Sequence, residues 1–232
     1  MNVYLLSRPL IDWGEFQRFC TDENLPNIVD ALSGGYHGAE ASVEIAGRLC
    51  YMSYGKGRKT RREFIDNLIH SGHHSVLEHA NYGILITGIS RSCSHEIVRH
   101  RHFSYSQLSQ RYCDHTQVEP ILPTAIADNP GLSELARRAL KLAFDAYRDL
   151  DVAMRDLPRK EHRTAARCVL PNATPTKIVI TGNCRAWREF IQKRAVPAAD
   201  PEIRELALRI RDLLSLEAPL LFGDLMSQSE ET

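Results

Sequence analysis

The chain has 232 residues, 43% of them hydrophobic and 25% charged, which is an ordinary composition for a globular protein. Lysine plus arginine and aspartate plus glutamate both number 29, so the formal net charge is zero and no overall basic field attracts nucleic acid or an anionic membrane. The N-terminus lacks the pattern of a signal peptide, no run of about 18 apolar residues predicts a membrane-spanning helix, and six scattered cysteines indicate reduced thiols and a cytoplasmic protein.

Apolar spacing and glycine or proline breaks predict the elements of the first third of the chain. They are a strand at 3–6, a loop at 21–38, a helix at 39–51, a helix around 64–69 and a buried strand at 82–89. The second of these helices is expected to end at Gly72, because glycine readily leaves the helical conformation.

The rest of the chain is predicted to be mainly helical. Its elements are a helix at 92–101, a polar segment that ends near Pro120, a long helix at 132–154, a helix that opens at Pro158 and ends before Pro171, a strand at 176–181, and helices at 184–195 and 201–216. Few strands among many helices favour a mixed α/β or α+β domain. The pairing and the direction of the strands stay open.

Arginine is concentrated in one 21-residue stretch, where Arg91, Arg99, Arg101 and Arg111 accompany a single acid, Glu96. On the predicted helix, Arg99 and Arg101 point in different directions and Glu96 lies three residues before Arg99, where it can orient that side chain. Serine, tyrosine and glutamine follow between residues 104 and 110. Arginine forks and hydroxyls are the groups that bind a phosphate monoester, whereas a polar surface loop is the simpler alternative.

Arg194 occupies an unusual position on a predicted helix. It lies seven residues after Trp187, on the face that also carries Phe190 and Ile191. A guanidinium beside such an apolar stripe needs a partner, because an unpaired buried charge is costly. A salt bridge to a carboxylate elsewhere in the chain is the simplest such partner.

Arg163 and Arg167 form a second arginine pair, four residues apart on a predicted helix. This like-charge spacing is mildly unfavourable unless an anion lies between the two groups. A solvated helix face is the simpler interpretation of the pair.

Histidine is also clustered, since eight of the ten lie between His70 and His115. We expect no metal, because no His-Glu-x-x-His motif is present and aspartate is scarce there. Residues 72–79 are equally well explained as a turn between helix and strand, with imidazoles facing a planar ligand. A histidine-rich metallohydrolase and a nucleic-acid-binding module stay as alternatives, although zero net charge argues against the latter. No Gly-x-Gly-x-x-Gly or Walker loop supports a Rossmann or P-loop nucleotide site.

Arg99-His100-Arg101, followed after seven residues by Ser109, resembles the Arg-His-Arg-x7-Ser signature of the flavin-dependent thymidylate synthases. Other segments are similar to that family in the same order, at 46–51, 72–79, 88–92, 110–112, 169–174 and 181–194. The resemblance spans about residues 40–215 and leaves residues 1–38 as a variable N-terminal segment.

The resemblance implies a single domain over residues 1–232, with a central mixed or antiparallel sheet flanked by helices and a frayed tail at 227–232. It implies reductive methylation of dUMP to dTMP, with 5,10-methylenetetrahydrofolate as carbon donor and NADPH-reduced FAD as hydride source. It also implies a homotetramer whose active sites are shared between subunits, with no nucleic-acid or membrane partner.

The resemblance also assigns residues to two ligands. For dUMP they are Arg91, Glu96, Ile97, Val98, Arg99, Gln107, Leu108, Ser109, Gln110, Arg111, Arg167 and Arg194. For FAD they are Ser75, Arg99, His100, Arg101, Gln107, Asn183, Cys184, Arg185 and Glu189. Arg194 is implied to be catalytic, because a guanidinium beside the ring stabilises the uracil anion that methylation at C5 requires. Relatives often carry histidine or asparagine in place of Glu189, and a histidine where this chain has residues 197–199.

Overall fold

The computed structural model describes residues 1–25, 32, 38–54, 56–58 and 60–227. The strands are β1 (Asn2–Ser7), β2 (Asn81–Ser90), β3 (Ser104–Gln107) and β4 (Pro175–Asn183). The helices are α1 (Trp13–Asp22), α2 (Gly38–Leu49), α3 (Arg61–His70), α4 (Arg91–Ile97), α5 (Thr124–Ala127), α6 (Pro130–Ala153), α7 (Arg159–Ala166), α8 (Cys184–Arg194), α9 (Pro201–Glu217), α10 (Pro219–Phe222) and α11 (Asp224–Ser227). Two 3-10 helices span His74–His79 and Arg167–Val169.

The four strands form one sheet in the order β1-β2-β4-β3, and every neighbouring pair is antiparallel. The central pair runs from Asn81 opposite Asn183 to Ser90 opposite Pro175. The register shifts near Gly88, whose φ of +69° lies in the left-handed region that favours glycine. The expected mixed α/β fold is confirmed, and for these strands the sheet is antiparallel rather than mixed.

The main core lies between one face of the sheet and the helices that follow β4. Ile84 of β2 and Ile180 of β4 are at most 1% exposed, and Trp187 and Phe190 of α8 belong to the same buried cluster. Each such side chain contributes roughly 1.5–3 kcal/mol by leaving water. This packing fixes α8 against the sheet and therefore fixes the position of Arg194 at its end.

Most of the predicted elements are confirmed to within a few residues. These are the strands at 3–6, 82–89 and 176–181, and the helices at 39–51, 64–69, 132–154, 184–195, 201–216 and after Pro158. The predicted loop at 21–38 lies largely outside the described residues, although residues 21 and 22 end α1 and residue 38 begins α2. The tail at 227–232 also lies outside them, apart from Ser227. Helices α1, α5, α10 and α11 were not predicted.

The predicted helix at 92–101 is wrong in its second half, because α4 ends at Ile97. The amides of Arg99 and His100 donate to carbonyls only three residues back, at 3.2 and 3.0 Å, which closes tight turns instead of a regular α-helix. The Tyr105 hydroxyl lies 2.8 and 2.6 Å from the carbonyl oxygens of Ile97 and His100, which share its one hydrogen. Arg99 and Arg101 therefore lie in a turn. The polar segment after this turn begins with strand β3.

Helix α6 has 24 residues, of which only Tyr147 and Asp151 are buried. Leu132, Leu135 and Leu142 share one stripe of the helix and are 48%, 56% and 69% exposed. No helix in the described part of the chain has the length and apolar character needed to cross a membrane. None of the described elements covers the apolar stripe of α6.

Candidate active site

Arg194 reaches from the end of α8 to the segment that follows α4. Its Nε donates to His100 Nε2 at 3.1 Å, and its Nη1 donates to Glu96 Oε2 at 2.9 Å. The side chains of Arg194 and Glu96 are 24% and 33% exposed, so the ion pair is half-buried. The expected salt bridge of Arg194 is present. The expectation that Glu96 orients Arg99 is corrected, because the Glu96 carboxylate is bound to Arg194 and Arg99 meets Glu96 through the backbone.

His100 joins this ion pair to the core. Burial lowers the pKa of His100, and the cations of Arg194 and Lys193 lower it further. The carboxylate of Glu189 acts in the opposite direction, but its effect is smaller. An unprotonated Nε2 is what the Arg194 N–H requires as an acceptor, so the proton of the neutral ring belongs on Nδ1. The ring packs edge-on against Phe190, with centroids 5.0 Å apart. His100 therefore fixes the guanidinium from the apolar side.

A cleft of about 370 Å³ opens beside this constellation, between the turn after α4 and the exposed side of α8. Its lining residues are Arg99, His100, Arg101, His102, Phe103, Ala186, Glu189, Lys193 and Arg194. Glu189 and Lys193 form an ion pair within the cleft, and the hydrogen bond from Lys193 lowers the pKa of Glu189. The guanidinium and ammonium groups of the lining outnumber its one carboxylate, so the cleft suits an anionic ligand.

The other end of α8 carries further residues assigned to the flavin. The Asn183 side chain caps the helix by accepting from the amide of Ala186 at 2.9 Å, and Arg185 pairs with Glu78 at 2.7 Å. Glu78 belongs to the same 3-10 helix as the exposed Ser75. The Cys184 thiol is fully buried, and burial raises its pKa, so it does not face a ligand.

A second group of polar residues lies along α4, β3 and α7. Gln107 donates from Nε2 to Ser94 Oγ at 2.7 Å and to Thr176 Oγ1 at 3.3 Å, which ties β3 to α4 and β4. Ser109 Oγ accepts from the amide of Arg111 at 3.2 Å. Leu108 continues the sheet by donating to the carbonyl of residue 177 at 2.9 Å.

Two arginines of this second group approach each other. Arg91 is half-buried, and burial together with the nearby Arg167 lowers its pKa. Like charges at short range raise the free energy of the protein unless an anion compensates them. The structure thus places Arg167 near enough to Arg91 to lower its pKa.

Two residues that shape these sites, Tyr105 and Lys193, were not singled out in the sequence, and the interpretation of a third, Arg163, is corrected. Tyr105 closes the turn after α4 with its hydroxyl, and Lys193 lines the cleft. Arg163 is not on a solvated helix face, because its side chain is only 13% exposed and donates to the carbonyl of Tyr112 at 2.6 Å. The contacts of Tyr105 and Arg163 have no signal in the sequence because they depend on the fold, whereas Lys193 lies four residues after Glu189, a spacing at which two opposite charges pair on a helix.

The clustered histidines do not assemble into a metal site within the described ranges. No group of three or more histidine, cysteine, aspartate or glutamate side chains there has an arrangement that could hold a metal ion. His73, His74 and His79 instead belong to the 3-10 turn between α3 and β2 or adjoin it. The prediction of a turn between helix and strand at residues 72–79 is therefore confirmed.

Comparison with known proteins points to one family. The profile of the family described as "Thymidylate synthase complementing protein" matches residues 31–220. The chain is 49% identical over 216 residues to a protein of Mycobacteroides abscessus named "Flavin-dependent thymidylate synthase", an alignment that covers 88% of this chain and 86% of that relative. Proteins of the same name from Mycolicibacterium gilvum and Mycobacterium tuberculosis are 48% and 46% identical, over 81% and 89% of this chain and 80% and 85% of their own lengths.

Proposed function

Because this chain belongs to the family of flavin-dependent thymidylate synthases, and is thus an enzyme of dTMP synthesis, we propose that it methylates dUMP reductively. In the balanced reaction, dUMP, 5,10-methylenetetrahydrofolate, NADPH and a proton give dTMP, tetrahydrofolate and NADP⁺. The observation that carries the proposal is the Glu96–Arg194–His100 constellation at the edge of a cationic cleft. The exposed Arg99 and Arg101 in the same cleft supply the arginine forks that a dinucleotide pyrophosphate requires.

The residues along α8 fit FAD as the flavin. The cleft runs from Ala186 to Arg194, and the helix N-terminus with Asn183 and Arg185 lies beyond it, where Arg185 pairs with the 3-10 helix that carries Ser75. This arrangement offers cations for the phosphates, and its lining includes the aromatic ring of Phe103, against which a planar ring can pack. When bound, FAD supplies the reducing equivalents that it receives from NADPH.

Arg194 is the residue that we assign to catalysis. Its Nε and Nη1 are held by His100 and Glu96, while its Nη2 makes no hydrogen bond to any described residue. A guanidinium fixed on two sides presents that remaining donor at a defined position, without a reorganisation cost during the reaction. Donation to the uracil stabilises negative charge on the ring and so favours attack from C5.

The second group of polar residues is proposed to hold the rest of dUMP. Ser109, Gln110 and Arg111 lie in the turn after β3 and offer donors to the phosphate and sugar. Arg91 and Arg167, which repel each other in the free protein, gain a compensating anion. Residues 97 and 98 directly precede Arg99 of the cleft, and the side chain of Gln107 ties β3 to Ser94 of α4.

We further infer a homotetramer with shared active sites, located in the cytoplasm. The exposed leucine stripe of α6 is an apolar surface that a second subunit can cover. The cleft beside Arg194 is open, so residues from another subunit can complete it. The cysteines are all unpaired within the described residues, as a reducing compartment favours.

Reconstitution tests this proposal. Purified protein mixed with FAD and then desalted should keep the yellow flavin absorbance. With dUMP, methylenetetrahydrofolate and NADPH it should form dTMP, and omission of any one of the three should abolish the product. A protein that holds no flavin would reject the cofactor assignment, and one that holds FAD without forming dTMP would reject the reaction.

A further inference from the structure

A buried carboxylate joins α6 to α7 behind the proposed dUMP site. Asp151 Oδ1 lies 2.7 Å from His162 Nδ1 and 3.7 Å from Arg163 Nε. The three side chains are 7%, 9% and 13% exposed. Burying a carboxylate raises the free energy of the folded protein unless donors or cations surround it. His162 and Arg163 surround Asp151 in this way, and their contacts hold α7 against the end of α6.

The Arg163 guanidinium extends from this carboxylate to residues 109–114, called here the 109–114 turn. Its Nη1 donates to the carbonyl of Tyr112 at 2.6 Å, and its Nη2 donates to Asp114 Oδ2 at 3.4 Å. One side chain thus connects a buried anion to the backbone of the turn that carries Ser109 and Arg111.

The neighbouring residue of α7 holds the same turn by a second contact. Arg111 Nε donates to Thr164 Oγ1 at 3.3 Å. Arg167 lies one helical turn after Arg163, where α7 passes into the second 3-10 helix. The orientation of α7 consequently determines the positions of both Arg111 and Arg167, which the proposed function assigns to dUMP.

We propose that Arg163, anchored by Asp151, is a positioning residue for dUMP. It holds the 109–114 turn against α7, so that Arg111 and Arg167 meet the nucleotide in a preformed arrangement. The inference rests on the proposed function, and Arg163 acts through the turn rather than on the reacting atoms. Because ordering a loose turn on binding lowers affinity, loss of Arg163 should affect dUMP binding more than the chemical step.

Steady-state kinetics of the Arg163→Met holoenzyme test this role. The methionine keeps much of the apolar stem but removes every donor, so we expect the KM for dUMP to rise by about tenfold or more. The kcat should stay within about threefold of the original value, and the flavin absorbance should be unchanged. Arg163→Lys should recover part of the loss, since an ammonium can donate to the Tyr112 carbonyl but cannot bridge to Asp151 and Asp114 together.

A matched control is Arg159→Met, which makes the same chemical change at the exposed first residue of α7. Its kinetics should equal those of the unaltered enzyme. Hydrogen exchange gives a second measurement: amides of the 109–114 turn should exchange faster in Arg163→Met, while those of α8 should not change. If Arg163→Met fails to fold, the same two measurements on Arg163→Lys decide the question.

Two results would overturn the inference while leaving the proposed function intact. One is an unchanged KM for dUMP with unchanged exchange in the turn, and the other is a loss of kcat at constant KM. If the unaltered protein makes no dTMP from dUMP, the proposed function fails and the positioning role fails with it. The unaltered protein measured beside the variants separates these cases.

Discussion

At the scale of single residues, Arg194 shows what a sequence can and cannot reveal. Its position on an apolar stripe predicts that the guanidinium needs a partner, and the structure provides Glu96 and His100. The identity of these partners was beyond the sequence, because 98 and 94 residues separate them from Arg194. The spacing of the arginine-rich segment instead suggested a pair between Glu96 and Arg99. That pair requires a helix that continues through Arg99, but the helix ends at Ile97.

His100 makes the site sensitive to pH. Burial and nearby cations lower its pKa below the usual value of about 6.5, so the folded protein favours the neutral ring that accepts from Arg194. The unfolded chain then binds the proton more readily, and the contribution of His100 to stability is present above about pH 6.5 and is lost as the pH falls through the lowered pKa. Arg194, Lys193 and Glu189 face the same ring, and protonation adds a further cation to this group.

His100→Gln tests this dependence, because glutamine keeps an acceptor for Arg194 but does not titrate. The melting temperature of the unaltered protein should fall more steeply than that of the variant as the pH is lowered below about 6.5. Above neutrality the difference between the two melting temperatures should be constant. Parallel curves across the whole range would show that His100 does not titrate as described.

At the scale of elements, the strands and long helices follow from apolar periodicity, whereas the segment after α4 does not. The central strands β2 and β4 carry unbroken apolar runs that predict a buried position. Strand β3 has the sequence Ser-Tyr-Ser-Gln, which reads as a polar loop. Its backbone pairs with β4, and the Tyr105 hydroxyl contacts two carbonyls of the preceding turn. Both contacts stabilise the strand, and the local composition predicts neither of them.

Tyr105→Phe should therefore loosen the turn that carries Arg99 and His100. The variant loses the one O–H donor that the two carbonyls share, so the free energy of unfolding should drop by roughly 1–3 kcal/mol. Urea denaturation measures this loss. Tyr4→Phe on β1, where the side chain is 50% exposed, serves as the control and should cost little. Equal stabilities of the two variants would contradict the role of the Tyr105 hydroxyl.

At the scale of the whole molecule, the described part of the chain leaves an apolar surface on α6 exposed. The periodicity of α6 was visible in the sequence and its helix is confirmed, but the side that its leucines face could not be predicted. In the structure Leu132, Leu135 and Leu142 point to solvent, since α6 packs mainly on its neighbours α5 and α7. We attribute this surface to contacts between subunits.

Leu135→Glu combined with Leu142→Glu tests that attribution. Charges on the stripe should oppose the covering of α6 by another subunit, because burying an unpaired carboxylate is costly. Light scattering should give about four times the chain mass for the unaltered protein and a lower value for the double variant. Lys141→Glu, on a different face of α6 and 73% exposed, should keep the original mass. A double variant of unchanged mass would place the interface elsewhere.

The central claim is that Arg194, held by Glu96 and His100, promotes the methylation of dUMP. Its most direct test is the rate of dTMP formation by Arg194→Met with saturating substrates, beside Arg209→Met as a control. Arg209 also pairs with a carboxylate but is 51% exposed on α9, so its loss should leave the rate unchanged. We predict that Arg194→Met retains its fold and its flavin but loses about 100-fold or more in rate. A rate equal to that of the control would contradict the account.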